Sequence, residues 1–245
     1  MDKIVMISGA SSGIGRSIAV KLAGPGRKLA LMYFKHKQEA EDLAEICRSK
    51  GSSCMLIRAD ISSYDELCAA YKSLEDKWGG VDILINNAGI SSYSLIQDIS
   101  IEDWDRTFKT NIYSAFYTTK LCLPHMISNK WGRIVNIASV WGLVGASCES
   151  LYSSTKGALI AFSKACAKEL AYSGITVNVL APGAVDTPML HQLDDETLED
   201  LAQEIPIGRL IKPEEIAVWV DHLVADDAQA ITGQVISPNG GWVIY

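Results

Sequence analysis

KIVMISGASSGIGRSIAVKL, Lys3 to Leu22, is the stretch whose reading decides the fold. After Lys3 it opens on an unbroken apolar run, Ile4-Val5-Met6-Ile7, which suits a strand buried on both faces of a parallel sheet. Gly9, Gly13 and Gly15 follow, and Ile14, Ile18, Ala19 and Leu22 then repeat at helical spacing. Glycines between a strand and a helix let the backbone approach a pyrophosphate and aim helix N-terminal amides at it. Ser11, Ser12 and Ile14 in the same turn join them as candidates for holding a dinucleotide. A glycine trio alone also fits a tight turn that holds nothing. The strand before it and the amphipathic helix after it favour the nucleotide.

The same alternation continues outward. Runs rich in Ile, Val and Leu recur as KLALMY, CMLIR, VDILI, RIVNI, ITVNVL and GQVIS. Helical patterns separate them, among them Leu67, Ala70, Tyr71, Leu74 and Trp78, with longer helices near 102 to 129 and 152 to 172. This predicts an α/β fold: a single-domain, Rossmann-type, doubly wound parallel sheet of about seven strands with helices on both faces. Residues 1–245 read as one domain, because no linker-like segment and no repeat interrupts them. In such a sheet ligands sit at the carboxyl ends of the strands, so that is where motifs should fall.

Composition excludes several classes. The formal net charge of −7 lacks the basic footprint of a sequence-independent nucleic-acid binder. No apolar run approaches a membrane span, and Met1-Asp2-Lys3 leads into IVMIS, too short for a signal-peptide core. The six cysteines, Cys47, Cys54, Cys68, Cys122, Cys148 and Cys166, form no CxxC pair. They read as reduced thiols of a cytoplasmic protein, and no metal site is expected.

The carboxyl end of the second strand, in LMYFKHKQEAED, has no Asp or Glu to bind ribose hydroxyls. Lys35, His36 and Lys37 follow Tyr33 instead, a basic cluster that favours a 2′-phosphate and hence NADP(H). A solvated helix start is the competing reading. Asp60, with Ile61 after CMLIRA, could accept a hydrogen bond from an adenine amino group, or cap a helix.

NNAG at Asn86 to Gly89, Asn111, Ser139, Tyr152 and Lys156 four apart, and PGAVDTPM from Pro182 complete a pattern. Together these resemble the short-chain dehydrogenase/reductase family from Lys3 to the GGW near the C-terminus. Ser8 stands where the family more often has threonine, and keeps the hydroxyl. The resemblance implies a cofactor site that includes Asn87, Ala88 and Gly89, with Pro182 and Gly183 shaping a turn under the nicotinamide. Val185 would then offer backbone groups to the carboxamide and Thr187 would touch the cofactor. It implies Ser139 on the substrate oxygen, Lys156 on the nicotinamide ribose and Asn111 supporting a water path. The chemistry also stands without the name. Ketone reduction needs a proton donor at the developing alkoxide, and a free tyrosine with pKa near ~10 exchanges poorly at neutral pH. A lysine one helical turn on, at Lys156, favours the phenolate of Tyr152.

The substrate question turns on GASCESLYSSTK, Gly145 to Lys156. Glu149 stands three before Tyr152, where 3-oxoacyl-(acyl-carrier-protein) reductases of this pattern are usually neutral. A carboxylate beside a hydride-transfer site asks for a cationic partner, and a positively charged substrate would supply one. SVWGLVGASCESLYSSTKGA, APGAVDTPML and EIPIGRL are similar to a narrower subgroup, the bacterial elongation factor P 5-aminopentanone reductases. Members reduce a ketone on a lysine-linked five-carbon group ending in an amine. A helix N-terminal carboxylate is the plain alternative for Glu149, and Cys148 reads as a small packing residue.

The segment His191 to Pro206 is acidic, with Asp194, Asp195, Glu196, Glu199, Asp200 and Glu204, and no Lys or Arg. Family members carry a mobile lid here; an acidic one suits an amine better than an acidic carrier protein. Leu193, Thr197, Leu198 and Leu201 equally fit an amphipathic helix with a solvated acidic side. The alternative substrate, a 3-oxoacyl chain on acyl carrier protein, needs basic surface near the pocket, for which Lys130 and Arg133 are the candidates. A small free ketone or alcohol, and a non-catalytic NADP(H) sensor, are further alternatives; Ser139, Tyr152 and Lys156 all present speak against a sensor. Trp104, Trp131, Trp219 and Trp242 read as core or interface, while Trp141 could line the pocket. A homodimer or homotetramer is expected from the family, with GGWVIY at a subunit boundary.

Overall fold

The structure, a computed structural model, describes residues 2–244; Met1 and Tyr245, the last residue of the expected boundary tail, lie outside the described residues. The strands are β1 Lys3–Ile7, β2 Arg27–Tyr33, β3 Ser53–Arg58, β4 Ile83–Asn86, β5 Gly132–Ile137, β6 Ile175–Leu180 and β7 Val235–Ile236. They form a seven-stranded sheet in the order β3-β2-β1-β4-β5-β6-β7, every neighbouring pair parallel. The helices are α1 Gly13–Leu22, α2 Lys37–Ser49, α3 Tyr64–Trp78, α4 Ile101–Phe108, α5 Ser114–Asn129, α6 Trp141–Val144, α7 Ser150–Leu170, α8 Asp195–Glu204 and α9 Pro213–Leu223.

Strand alternation builds the two halves of the core. On β1, Val5 and Ile7 join Leu29, Leu31, Ile83 and Ile85 under Ile18 and Leu22 of α1, Leu43 of α2 and Ile216 and Val220 of α9. Ile4 and Met6 point the other way, onto Leu67 and Leu74 of α3, Cys122 and Met126 of α5 and Ala167 and Leu170 of α7. Both faces are therefore dry, which is why the strands read as unbroken apolar runs. Chain order reverses beside β1: β2 lies on one side and β4 on the other. The crevice at that reversal opens at the carboxyl ends.

The helix expected over 102 to 129 is one continuous rod with a π-helical segment, Lys109–Tyr113, set between α4 and α5. Ser63 caps α3 by accepting the Glu66 N–H at 3.3 Å. Asp60 is thus not the helix cap; its Oδ1 accepts from Ser62 N at 2.9 Å and Ser62 Oγ at 2.7 Å, closing a turn.

Arg133 corrects the expectation of a basic patch at the pocket mouth. It is 0% exposed at the amino end of β5, donating to the carbonyl oxygens of Gly132 (2.9 Å), Ala225 (3.3 Å), Asp226 (3.4 Å) and Gly174 (3.5 Å). Its guanidinium also stacks 4.5 Å from the centroid of Trp131, whose ring is covered by Lys3 at 3.3 Å. Lys130, in a left-handed turn that ends α5, lies at the same end. Strand β5, at roughly 3.3 Å per residue, puts about 13 Å between Arg133 and Ile137, and Ser139 lies two residues beyond its end. The apolar run RIVNI shows where the strand is but not that its arginine ties down loops at the far edge.

Candidate active site

The glycine turn between β1 and α1 is braced from β4. Ser8 Oγ accepts from Asn87 N and Ala88 N, both at 3.0 Å, and Asn87 Nδ2 donates to the carbonyls of Ser8 (3.0 Å) and Gly9 (3.1 Å). A hydroxyl at position 8 is what this brace needs, and serine supplies it. Two of the glycines are sterically required. Gly13 has φ +52°, and a Cβ there would meet Thr187 Cγ2 at 3.2 Å; a Cβ on Gly15 would enter the carbonyl oxygen of Gly9 and lie 2.5 Å from Asn87 Nδ2. Ser12 occupies the N-cap position of α1 without capping it, so its exposed hydroxyl, like the first-turn amides, has no intrahelical partner. Ser11 is buried behind it and Ile14 packs toward the core. The turn has the bare backbone and free donors that a pyrophosphate requires.

Beside it, Gly9, Tyr33, Phe34, Ala59, Ile61 and Ala88 line a cleft with the flat apolar walls an adenine needs. Asp60 stands at its edge with Oδ1 engaged by Ser62. Lys35 is exposed and makes no ion pair among the described residues, whereas Lys37 and His36 face Glu41 (3.4 Å) and Glu39 (3.5 Å) on their own helix. Arg58 was missed by the sequence reading. It pairs in register with Tyr33, and its Nε donates to Phe34 O at 3.3 Å, which brings a second cation to the end of β2. The only signal was an arginine closing the CMLIR run, and strand pairing was needed to interpret it.

The residues expected to do chemistry converge at the ends of β4 and β5. Asn111 is 2% exposed inside the π-helical segment. Its Oδ1 accepts from Ile90 N at 2.8 Å, and its Nδ2 donates to Ile90 O at 2.8 Å and Thr155 Oγ1 at 3.0 Å. The extra residue of the π-turn aims this side chain at the β4 loop and at α7 together. Gly89 leaves the space between Asn111 and Lys156 open, since a Cβ there would lie 3.3 Å from Asn111 Oδ1 and 3.4 Å from Lys156 Nζ.

Lys156 is buried and donates from Nζ to Ile137 O at 2.8 Å. Burial lowers its pKa to about 8. Nζ lies 5.5 Å from the centroid of the Tyr152 ring. The Tyr152 phenol is raised well above its ordinary range by burial first and the Glu149 charge second, with the Ser139 hydroxyl opposing as a hydrogen-bond partner. Desolvation and the Glu149 charge thus oppose the effect expected of Lys156 on the phenol. The ammonium is itself shielded from water and directed at a carbonyl. Ser139 in turn accepts from Trp141 N at 3.2 Å.

Glu149 occupies the N-cap position of α7 but its side chain caps nothing. It interacts with the Trp141 side chain, whose indole N–H is the donor, and burial raises its pKa. A plain helix-end carboxylate would bond the first-turn amides; this one does not. Trp141 packs edge-on against Trp242, ring centroids 4.7 Å apart, so the C-terminal segment folds onto its own pocket wall. Asn239 fixes that segment, donating to Val243 O at 2.9 Å and accepting from Gly241 N at 2.9 Å. Cys148, expected as a small packing residue, is half-buried with φ +61°; its carbonyl accepts from Ser94 N at 2.8 Å, and its thiol meets the Tyr93 hydroxyl.

Pro182 to Thr187 forms the opposite wall. Gly183 N donates to Pro238 O at 3.2 Å, and Asp186 N to Ile211 O at 2.9 Å, while Ile211 N donates to Ala184 O at 2.9 Å. That bridge leaves the Val185 N–H out of its pattern. Thr187 Oγ1 donates to Val185 O at 3.2 Å beside Gly13. Beyond it, α8 is capped by Asp194, which accepts from Thr197 N at 2.8 Å, and none of its residues is buried.

No helix among the described residues is long and apolar enough to cross a membrane, and no cluster of metal-ligating side chains occurs among them. A family model described as enoyl-(acyl carrier protein) reductase matches residues 9–243. The chain is 43% identical to an uncharacterized oxidoreductase, YmfI, of Bacillus subtilis, over 99% of both chains. It is 38% identical to the 3-oxoacyl-[acyl-carrier-protein] reductase FabG of Staphylococcus aureus over 98% of both. With a Synechocystis 3-oxoacyl-[acyl-carrier-protein] reductase the identity is 36%, over 99% of this chain and 98% of the relative. A glycine cradle at the switch point, a buried lysine and a serine-partnered tyrosine, together with these matches, make the chain a member of the short-chain dehydrogenase/reductase family, an NAD(P)-dependent ketoreductase.

Proposed function

We propose that the protein uses NADPH to reduce a ketone that ends in an amine, and that this ketone is the 5-aminopentanone group on a lysine of elongation factor P. One observation carries the amine: Glu149 sits at a helix N-cap without capping, one turn from Tyr152, with a neutral indole N–H as its partner. The exposed, unpaired Lys35 and neighbouring Arg58 support preference for a 2′-phosphate, with no acid at the end of β2 to oppose it.

Bound NADPH supplies the hydride. Ser139 donates to the substrate carbonyl oxygen and polarises it, with its own hydroxyl oriented by the Trp141 N–H. Tyr152, protonated because burial holds its pKa up, gives its proton to the developing alkoxide. Lys156 uses one of its protons on Ile137 O and has others for the nicotinamide ribose and for stabilising the phenolate. Asn111 holds Ile90 and Thr155 in place, keeping the space at Gly89 beside Lys156 open for reprotonation from solvent. The Val185 N–H and the Thr187 side chain would hold the carboxamide end.

A 3-oxoacyl-carrier substrate is the second reading, favoured by the likeness to the Staphylococcus aureus reductase. Burial of Arg133 removes one basic candidate for carrier docking. Exposed Trp104 on α4, Tyr113 in the π-helical segment and Phe116 on α5 support a homodimer or homotetramer, and the six free thiols suit the cytoplasm. The test is NADPH oxidation with two ketones of similar size, one ending in an amine and one a neutral acyl thioester, at matched pH and salt. Strong preference for the amine supports the reading and leads to assays on modified elongation factor P. Preference for the thioester returns the protein to carrier-bound substrates.

A further inference from the structure

Three ionisable groups follow one another along one face of α7: Glu149, Tyr152 three residues on, and Lys156 four beyond that. The rise of the helix separates them by roughly 4.5 and 6 Å along its axis. The phenol thus lies between an anion and a cation. The cation is engaged with the Ile137 carbonyl, and the anion has no ion-pair partner among the described residues. The groups facing Glu149 are Trp141 from α6, neutral; Tyr152 on its own helix; and Tyr93, whose hydroxyl meets the Cys148 thiol; Lys156 lies a further turn along α7. Ser139 and Asn111, which complete the surroundings of the phenol and the ammonium, are neutral.

Reduction converts the Tyr152 phenol to a phenolate as its proton moves to the alkoxide. With Glu149 ionised and without an ion-pair partner among the described residues, that step creates a second negative charge about one helical turn from the first, between two half-buried side chains. A bound cation on Glu149 removes this opposition before the proton moves. This inference rests on the amine-ended substrate proposed above and adds a consequence for the rate.

We propose that the substrate's own ammonium, seated on Glu149, completes the proton relay: by neutralising the carboxylate beside Tyr152 it raises kcat as well as lowering KM. Specificity is then exercised in the chemical step, and a neutral ketone that binds is still reduced slowly.

The experiment measures kcat and KM against pH for the intact protein with saturating NADPH and two ketones of equal length, one ending in an ammonium and one in a methyl group. Glu149→Gln is measured in parallel, and its NADPH affinity reports whether the cofactor site is intact. For the wild type, the amino-ketone should have a kcat about tenfold higher, the equivalent of one pKa unit on the proton donor. The kcat difference should persist through the pH range below the Lys156 pKa of about 8, where the ammonium is intact and Tyr152 is protonated with either ketone. Glu149→Gln should raise KM for the amino-ketone and raise kcat for the methyl ketone, bringing the two kcat profiles together. If the wild type prefers the amino-ketone only through KM, with superimposable kcat profiles, the relay proposal is overturned while the amine reading survives. If it makes no distinction in either constant, the substrate reading itself is wrong. The wild-type comparison decides the question even where the variant folds poorly.

Discussion

Replacing Asn111 by alanine should cost stability and activity together. The amide is buried and makes three side-chain hydrogen bonds, two to Ile90 and one to Thr155. Truncation leaves the Ile90 N–H without its acceptor and the Ile90 carbonyl and Thr155 Oγ1 without a donor. Thr155 Oγ1 keeps its bond to Tyr152 O at 2.8 Å, so its loss is small. Each orphaned Ile90 group costs about 1–3 kcal/mol if it stays dry, and Ile90 is only half-buried, so the lower part of that range applies and the sum is about 2–4 kcal/mol. For a chain of this size that is a fall of roughly 10 °C in Tm. The π-turn exists to reach these partners, so its extra residue should relax toward ordinary helix once they are lost. Equilibrium urea unfolding, with an unchanged slope, reads the stability. Turnover at a temperature where the variant is fully folded reads the site, and should fall because Gly89 and Lys156 lose their common neighbour. A loss below about 0.5 kcal/mol would refute the hydrogen-bond accounting, because no buried group could then have been orphaned.

Other substitutions separate the remaining roles. Gly15→Ala puts a methyl group against the Gly9 carbonyl and should abolish NADPH binding measured by fluorescence; retained affinity would mean the turn does not hold the pyrophosphate. Lys35→Ala with Arg58→Ala should weaken NADPH by about tenfold or more while leaving NADH nearly unchanged, since each removes a charge-assisted contact; equal effects on both cofactors would remove these residues from the 2′-phosphate site. Tyr152→Phe should lower kcat by about 10²–10⁴ with NADPH affinity kept. Glu215, which accepts from the two terminal Arg209 nitrogens and from Lys212 N, has its pKa lowered to about 2. Its stabilising effect is present above the ordinary carboxylate pKa and is lost as pH falls toward about 2. The pair is two-fifths exposed, so Glu215→Gln should cost less than about 1 kcal/mol at pH 7, and the cost should vanish only once pH has fallen below the lowered pKa of about 2.

Backbone order was legible because it depends on local pattern. Every apolar run singled out is a strand, and the glycine turn after β1 lies where the sheet reverses. Tyr152 and Lys156 could be paired because four residues is one helical turn. What stayed hidden depends on partners distant in sequence. The π-turn at Asn111 answers to Ile90 and Thr155, and Arg58 gains meaning only opposite Tyr33. Arg133 looked available because charged residues are ordinarily exposed; here four carbonyl oxygens, one from its own strand, one from Gly174 before β6 and two from Ala225–Asp226 after α9, take up its donors, and its pKa is lowered by burial all the same.

Glu149 and Arg133 show how buried charge divides between scaffold and site. Arg133 has a set of acceptors and serves to close the amino edge of the sheet. Glu149, at the opposite edge, has one neutral donor and a raised pKa, so the fold leaves its charge without an ionic partner where a helix dipole alone could have been satisfied by capping. The same side chain makes Tyr152 a weaker acid, which hinders the step the rest of the site promotes. A carboxylate that by itself costs both stability and reactivity is accounted for, under the proposed function, if its partner arrives with the substrate. An ammonium supplies that partner, while a neutral acyl chain does not.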